Sequence, residues 1–397
     1  MIQFRAKFAR SGRVSHSLLL IPALVLAAVS LLTVVRAPGW MWAWKLTILV
    51  GEFGHWLALL ALVLGWRAWV EPAGPVRDLT LVLAALAFAC LLRPVFRARR
   101  VGERLPAEIA AAFGGGAGPG PAVDLRRLFR QRAPAPAAVL TEVFARPDGQ
   151  ELKIDFYAPP LARDPARRPP CLVVIHGGGW DGGDRKQLAA WNSRWAARGY
   201  AVAAISYRLA PRWIWPAQRD DVLAAIAWLK ANAGRLGLDP ARLVLLGRSA
   251  GGQLATAVGY GAEDPAIRGV IALYAPHDMP FMWTVVREDD ALNSTKLTLQ
   301  YFGGAFEGER RTAYESASGQ LLARAGSPAT LLVHGNLDTL SWDRHSERLA
   351  TRLAELEVPH YYLRLPWATH GFDFNPDGPG GQLADYAIAR FLAAVTA

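Results

Sequence analysis

The apolar run Leu243-Val244-Leu245-Leu246 closes directly on Gly247-Arg248-Ser249-Ala250-Gly251. A short buried strand ending in Gly-x-Ser-x-Gly has to turn sharply into a helix, and that turn lifts the serine hydroxyl above the edge of a sheet. Gly247 and Gly251 are needed because side chains on either side would crowd so tight a turn. One buried strand cannot stand alone, so the motif demands further strands beside it and helices to cover them.

From about Val139 onward the chain supplies both. Short apolar runs predict strands at Lys153–Tyr157, Leu172–His176, Ala201–Tyr207, Leu243–Leu246, Val270–Tyr274, Thr330–His334 and Tyr361–Leu365. Helical patterns such as Ala217–Ala233 and Ser341–Leu356 lie between them. Strands alternating with helices imply an α/β fold, a mostly parallel sheet with helices on both faces.

The first third has a different character. Three apolar stretches, 18–35, 46–66 and 79–96, predict transmembrane helices within a membrane domain at 1–105. The third is the weakest, because Arg93-Pro94 interrupts it. Trp40, Trp42, Trp44, Trp66 and Trp69 cluster at the ends of the second, as an aromatic belt at the two membrane surfaces does. The second stretch is too long and too apolar for a helix covering a soluble enzyme. No small-residue cleavage site follows the first stretch, so a cleaved leader is not the reading. The expected location is therefore the cell membrane, multi-pass.

Orientation is contested by two groups of basic residues. Arg5, Lys7, Arg10 and Arg13 favour a cytoplasmic amino terminus, and three crossings then put the last domain outside. Arg93, Arg97, Arg99, Arg100 and Arg104 prefer the cytoplasm themselves, which two crossings would satisfy. Glu52 and His55, one turn apart within the second stretch, are either functional groups in the membrane or partners in helix–helix hydrogen bonds.

The net charge of +11 belongs wholly to this first third. Residues 1–135 hold 17 Lys and Arg against 6 Asp and Glu, whereas residues 136–397 hold 27 of each. Charges flanking membrane helices explain this balance, so nucleic acid is not an expected partner. A Gly/Pro/Arg-rich linker is expected at 106–137, ahead of a catalytic domain at 138–397. Within it Gly114–Pro121 and Ala133–Pro136 suit neither helix nor core, and Arg126, Arg127, Arg130 and Arg132 face anionic lipid headgroups. Of the two cysteines, Cys90 falls in a membrane stretch and Cys171 opens a strand, so no disulfide is expected.

A serine hydroxyl is a poor nucleophile near neutral pH. It needs a base to take its proton, an acid to orient that base, and donors for the developing oxyanion. His370, in Ala368-Thr369-His370-Gly371-Phe372, follows the last predicted strand and is the candidate base. Asp338 follows the penultimate strand and is the candidate acid; Asp343 is its rival, and a helix cap near Ser341 is the structural alternative. His176-Gly177-Gly178-Gly179-Trp180 follows the strand 171–175, and its run of glycines lets backbone N–H groups converge on one oxygen. The long connection Pro276–Gln320, with Met279, Phe281, Met282, Trp283, Tyr301 and Phe302, reads either as an apolar acyl-binding wall or as helices packed on the sheet.

Residues from about 135 to the end resemble an α/β-hydrolase of the hormone-sensitive-lipase and bacterial carboxylesterase group. The resemblance rests on Leu152–Pro159, His176–Trp180 with Gly183-Asp184, Tyr207-Arg208-Leu209-Ala210-Pro211, Pro216-Ala217 with Asp220-Asp221, and the turn at Ser249. It implies the α/β-hydrolase fold and a triad of Ser249, Asp338 and His370. It also implies an oxyanion hole made by the backbone N–H groups of Gly178, Gly179 and Ala250. Arg248 departs from the group, where a smaller or acidic residue is usual, and membrane segments replace the usual cap helices. The expected activity is hydrolysis of an apolar carboxylic ester next to membrane lipids, with no metal and no cofactor. Acyl transfer to a lipid or envelope hydroxyl, or a non-catalytic membrane scaffold, are the alternatives.

Overall fold

The computed structural model describes residues 16–114, 120–130, 138–160 and 168–397. Arg5, Lys7, Arg10, Arg13, Arg132 and the segments 115–119 and 133–136 lie outside the described residues.

The described residues open with three helices, α1 (His16–Ser30), α2 (Met41–Trp69) and α3 (Pro75–Phe113). They run up, down and up. Thr33 Oγ1 donates to the Cys90 carbonyl at 2.9 Å, which sets the end of α1 beside the middle of α3. Leu26 and Ala27 share a buried cluster with Ala84, Ala87 and Leu91 further back. The start of α1 and the hydrolase therefore lie at opposite ends of the bundle.

Small residues face inward here. Ala58, Ala61, Ala84 and Ala87 are buried, and a Cβ on Gly54 would sit 2.7 Å from the Leu91 carbonyl oxygen. Large apolar side chains face outward: Leu59, Leu60, Leu62, Val63, Trp66, Val82 and Leu86 are all exposed. Of the three expected membrane helices, α2 and α3 are long and apolar enough to cross a bilayer, and α1 is shorter.

The third helix does not stop where its proline suggests. Pro94 has no N–H to give the Cys90 carbonyl, and the Thr33 hydroxyl supplies the missing donor. The helix continues to Phe113, so the segment expected to begin a linker at 106 is helical for its first turns. At 39 residues α3 is about 58 Å long. Its second half buries Ala98, Leu105 and Ile109 against the sheet's covering layer. A short α4 (Leu125–Phe129), capped by Asp124, also occupies the expected linker.

The strands are β1 (Val139–Ala145), β2 (Leu152–Tyr157), β3 (Pro170–Ile175), β4 (Ala201–Ile205), β5 (Asp239–Arg248), β6 (Ile267–Leu273), β7 (Ala329–Gly335) and β8 (His360–Leu365). They form one sheet in the order β1-β2-β4-β3-β5-β6-β7-β8. Among the described residues, only the β1–β2 and β2–β4 pairings are antiparallel. Every predicted strand is present within a few residues. β1 is an addition, an edge strand exposed along its first half, where apolar patterning fades.

Helices alternate with the strands: α5 (Ala189–Ala197), α6 (Ala217–Ala231), α7 (Ala233–Leu236), α8 (Ala250–Gly261), α9 (Met279–Val285), α10 (Ser294–Phe302), α11 (Arg310–Ser316), α12 (Gly319–Leu322), α13 (Arg344–Glu355) and α14 (Pro379–Val395). Alternate strand residues feed two cores. Cys171, Val173, Leu243 and Leu245 pack with Val222, Leu254 and Leu349 on one face. Leu172, Val174, Val244 and Leu246 pack with Trp191, Leu383 and the second half of α3 on the other. Cys90 and Cys171 are free and buried.

Parallel pairing sets Ile175 beside Gly247, Arg248 beside Leu273, and Gly335 beside Leu365. The loops after β3, β5, β6, β7 and β8 thus emerge together at the carboxyl edge, where open α/β sheets carry their sites.

Candidate active site

Backbone crowding shapes the turn after β5. A Cβ on Gly247 would lie 2.0 Å from the Gly251 carbonyl oxygen, and one on Gly251 would lie 2.3 Å from that of Ile175. Ser249 itself is forced to φ 52°, ψ −121°, a strained conformation for a residue with a side chain. Its N–H donates to the Leu273 carbonyl at 2.9 Å, which ties the strained residue to the neighbouring strand.

The glycine loop lies against this turn. A Cβ on Gly177 would sit 3.2 Å from that of Ser249. Gly178 and Gly179 take φ of 124° and 59°, and a Cβ on Gly178 would strike the Gly182 carbonyl at 2.3 Å. Trp180 locks the loop from below. Its indole N–H donates to Gln253 Oε1 at 2.9 Å, and its ring stacks on Tyr301 at 4.3 Å. His176 stacks on Tyr207 at 4.2 Å and is buried, which pushes its imidazole below the ordinary range although a hydrogen bond with the Gly177 carbonyl opposes the shift. Among the described residues, the N–H groups of Gly178, Gly179 and Ala250 donate to no other protein group.

On the other side, His370 Nδ1 is 2.8 Å from Asp338 Oδ2. The structural alternative for Asp338 also holds, because its Oδ1 accepts from the N–H groups of Leu340 and Ser341 at 2.8 and 2.9 Å. His334 Nε2 approaches Oδ2 at 3.2 Å. Burial alone would raise the Asp338 carboxyl. The charge of His370 and hydrogen bonds from both histidines outweigh it and hold the group well below the usual carboxylate range. The rival Asp343 faces away, bonded to Arg36 and Asn336.

Ser249, Ala250, Gly179, Asp338 and His370 line one cavity of about 750 Å³. Ser249 and His370 share it without a direct hydrogen bond among the described residues, a looseness common before substrate binds. Met282, Val285, Val286, Leu292 and Leu297 form its apolar wall. Of the aromatic and Met residues singled out in 276–320, only Met282 reaches the cavity. Met279, Tyr301 and Phe302 are core, Phe281 packs on Trp342 and His345, and Trp283 on Tyr314.

Several contributors escaped the sequence reading. Arg248, whose departure from the resembled group was visible, is fully buried and pairs with Asp373 at 2.5 Å. Tyr274 donates to the other oxygen of Asp373 at 2.5 Å and lies 4.5 Å from the His370 ring. Burial opposes the charge on Arg248, but Asp373 and Tyr274 prevail and hold its guanidinium above the ordinary value. A buried arginine needs an acid nearby, so Arg248 was itself a signal for a residue such as Asp373.

Among contributors from the first third, residues 36–40 and Trp44 carried no signal of a place at the site. Residues 36–40 line the cavity, and the Trp44 indole N–H donates to the His370 carbonyl at 2.9 Å. Glu52 and His55 bond outside the three-helix bundle. Glu52 Oε2 accepts from Gly380 N at 2.9 Å, the Glu52 carbonyl accepts from Asn375 at 3.1 Å, and His55 Nε2 meets the Leu128 carbonyl at 2.8 Å. Away from the cavity, Asp221 pairs with Arg208 at 2.9 Å and Asp220 with Arg219 at 2.8 Å.

The BD-FAE family profile matches residues 154–353, half of the chain, including Ser249 and Asp338. The chain belongs to the BD-FAE family. His370 lies beyond the matched segment. "Probable carboxylic ester hydrolase LipM" of Mycobacterium tuberculosis is 28% identical over 427 residues, which span 97% of this chain and 96% of LipM. That similarity therefore extends through the apolar helices. Among solved structures, a bacterial heroin esterase superposes with a TM-score of 0.56 at 26% identity, covering 66% of this chain and 85% of its own. Esterase LipW of Mycobacterium marinum gives 0.55 at 25%, covering 76% and 88%. This BD-FAE protein is an α/β-hydrolase of the hormone-sensitive-lipase and bacterial carboxylesterase group, and its enzyme class is carboxylic ester hydrolase.

Proposed function

We propose that this BD-FAE protein is a membrane-anchored serine hydrolase that cleaves apolar carboxylic esters through Ser249, His370 and Asp338. The reading is carried by the 2.8 Å bond between His370 and Asp338 in the cavity that holds Ser249. A proton kept on Nδ1 by the carboxylate leaves Nε2 as the ring's base.

Ser249 Oγ attacks the ester carbonyl as Nε2 takes its proton, and the N–H groups of Gly178, Gly179 and Ala250 receive the oxyanion. Collapse returns that proton to the departing alcohol and leaves an acyl-serine. A water gives its proton to Nε2 and attacks the acyl carbon. The carboxylic acid departs and Oγ regains the proton. Asp338 stays ionised throughout, and its charge stabilises the imidazolium between the steps.

Anchoring by α2 and α3 is supported by the inverted packing of the bundle, small residues inside and large apolar ones outside. That pattern suits lipid rather than water. The apolar wall of Met282, Val285, Val286 and Leu297 suits an acyl chain.

The test is hydrolysis of p-nitrophenyl esters of increasing acyl length by the detergent-solubilised protein and its Ser249→Ala variant. Activity that survives in the variant refutes the proposal.

A further inference from the structure

The segment joining α1 to α2 is more than a turn between two helices. It reaches from the bundle to the mouth of the cavity and is fastened there on three sides. The Arg36 guanidinium donates to the Asn336 carbonyl at 3.1 and 3.2 Å and to Asp343 at 2.9 Å, next to the loop that carries Asp338. Gly39 lies so close to the α9–α10 connection that a Cβ would sit 3.0 Å from the Asp289 carbonyl oxygen. Trp44 holds the His370 carbonyl. The strap thus borders the cavity against all three neighbours, and Arg36, Ala37, Pro38, Gly39 and Trp40 form part of its lining.

Apart from Arg36, whose side chain is partly exposed, the outer surface of this strap is apolar where a water-washed connection would be polar. Leu31, Val34, Val35, Trp40, Met41 and Trp42 are each more than a third exposed, and Trp40 stacks on Trp42 at 5.4 Å between ring centres. At the lower end this surface is continuous with the exposed face of α1, at Leu24, Val25 and Leu31. At the upper end it meets the cavity. Trp40 lies seven residues on from Thr33, a span of at most about 24 Å. An acyl chain leaving the lipid-facing side of α1 would find a mainly apolar surface to the pocket, interrupted at Arg36. The cavity offers it Val285, Val286 and Leu297 on arrival, while Asp289 and Asp290 keep one rim polar.

We propose that this track delivers the substrate, which is a bilayer-resident lipid ester: an acylated amphiphile that slides from the membrane along residues 31–42 into the cavity. Its acyl chain lies on the apolar wall, and its polar alcohol portion stays at the rim beside Asp289 and Asp290. The proposal rests on the serine-hydrolase reading above and specifies where its ester comes from. The apolar track is occupied by lipid in transit, which accounts for its exposure in the isolated chain.

The test uses the full chain in phospholipid vesicles. The probes are a water-soluble ester, p-nitrophenyl acetate, and a bilayer-embedded one, 4-methylumbelliferyl oleate. In the variant Val35→Ser/Trp42→Ser, whose altered residues do not line the cavity, the ratio of oleate to acetate kcat/KM falls about tenfold. An unchanged ratio overturns the proposal, including a proportional loss on both probes. It is also overturned if the ratio holds while the variant changes the oligomeric mass, since the track is then a contact between copies.

A second measurement needs no variant. With wild-type protein at constant bulk oleate ester, adding inert phosphatidylcholine lowers the rate as the ester is diluted within the bilayer. A rate indifferent to that dilution overturns delivery by the track. Hydrolysis surviving Ser249→Ala is a separate failure, that of the catalytic reading.

Discussion

Ser249 and His370 line one cavity but are held by different parts of the molecule. The serine side is built from the sheet: glycines at 247 and 251 press backbone against backbone, and the Leu273 carbonyl takes the Ser249 N–H. The histidine side is a loop, residues 366–378, between β8 and α14. It is braced from beneath by Arg248 through Asp373, and from outside by α2. Trp44 takes its His370 carbonyl, and Glu52 meets Asn375 and Gly380. One wall is intrinsic to the hydrolase fold, whereas the other is also braced by a helix that the fold does not require. The apolar first third therefore contributes to the site.

Four experiments press on that difference, beginning with the largest effect. Ser249→Ala is expected to lower kcat on p-nitrophenyl butyrate by about 10⁴-fold or more with an unchanged near-UV circular dichroism spectrum, because the serine wall keeps its shape without the hydroxyl. A spectral change would mean that this wall also leans on its side chains.

Arg248→Met strands the buried Asp373 carboxylate and is expected to destabilise the protein by about 3–5 kcal/mol, read as a lower denaturation midpoint. Adding Asp373→Asn recovers part of the loss. A single variant as stable as wild type would show that the two walls are not joined through this pair.

Asp338 gives the comparison a pH signature. Its carboxyl is held below its ordinary value of 3.8, so the stability it contributes is full above that value and drains away as the pH falls through the folded-state value. The gap in denaturation midpoint between wild type and Asp338→Asn is expected to be level near neutrality and to close in acid below 3.8. A gap that widens in acid reverses the assigned sign.

Trp44→Phe keeps the ring and removes one donor. A net loss of about 1 kcal/mol at the His370 backbone corresponds to roughly a fivefold fall in kcat with KM unchanged. Equal changes in both constants would make Trp44 a pocket residue and dissolve its role as a brace.

The serine wall was legible in the sequence because its constraints are local. Gly-x-Ser-x-Gly after an apolar run dictates strand, turn and helix without knowledge of the remaining chain. Placing Asp338 and His370 needed only strand order, since parallel strands deliver their following loops to one edge. The outer brace of the histidine wall was illegible because it is a docking event. Trp44 looks like one more member of an aromatic belt until α2 is laid against residues 366–380. Pro94 misled for a related reason: it forbids a hydrogen bond within its own helix, and the replacement donor, Thr33, comes from another element. Most of the aromatic residues in 276–320 belong to the core, because apolar character alone does not distinguish a pocket wall from a buried helix face.

Because α3 runs unbroken from the apolar bundle into the layer beneath α14, the hydrolase cannot be shed by cutting the chain behind it. A protease nick between residues 114 and 120 would sever the covalent path and leave Leu105, Ile109 and the α2 contacts still clasping the catalytic half.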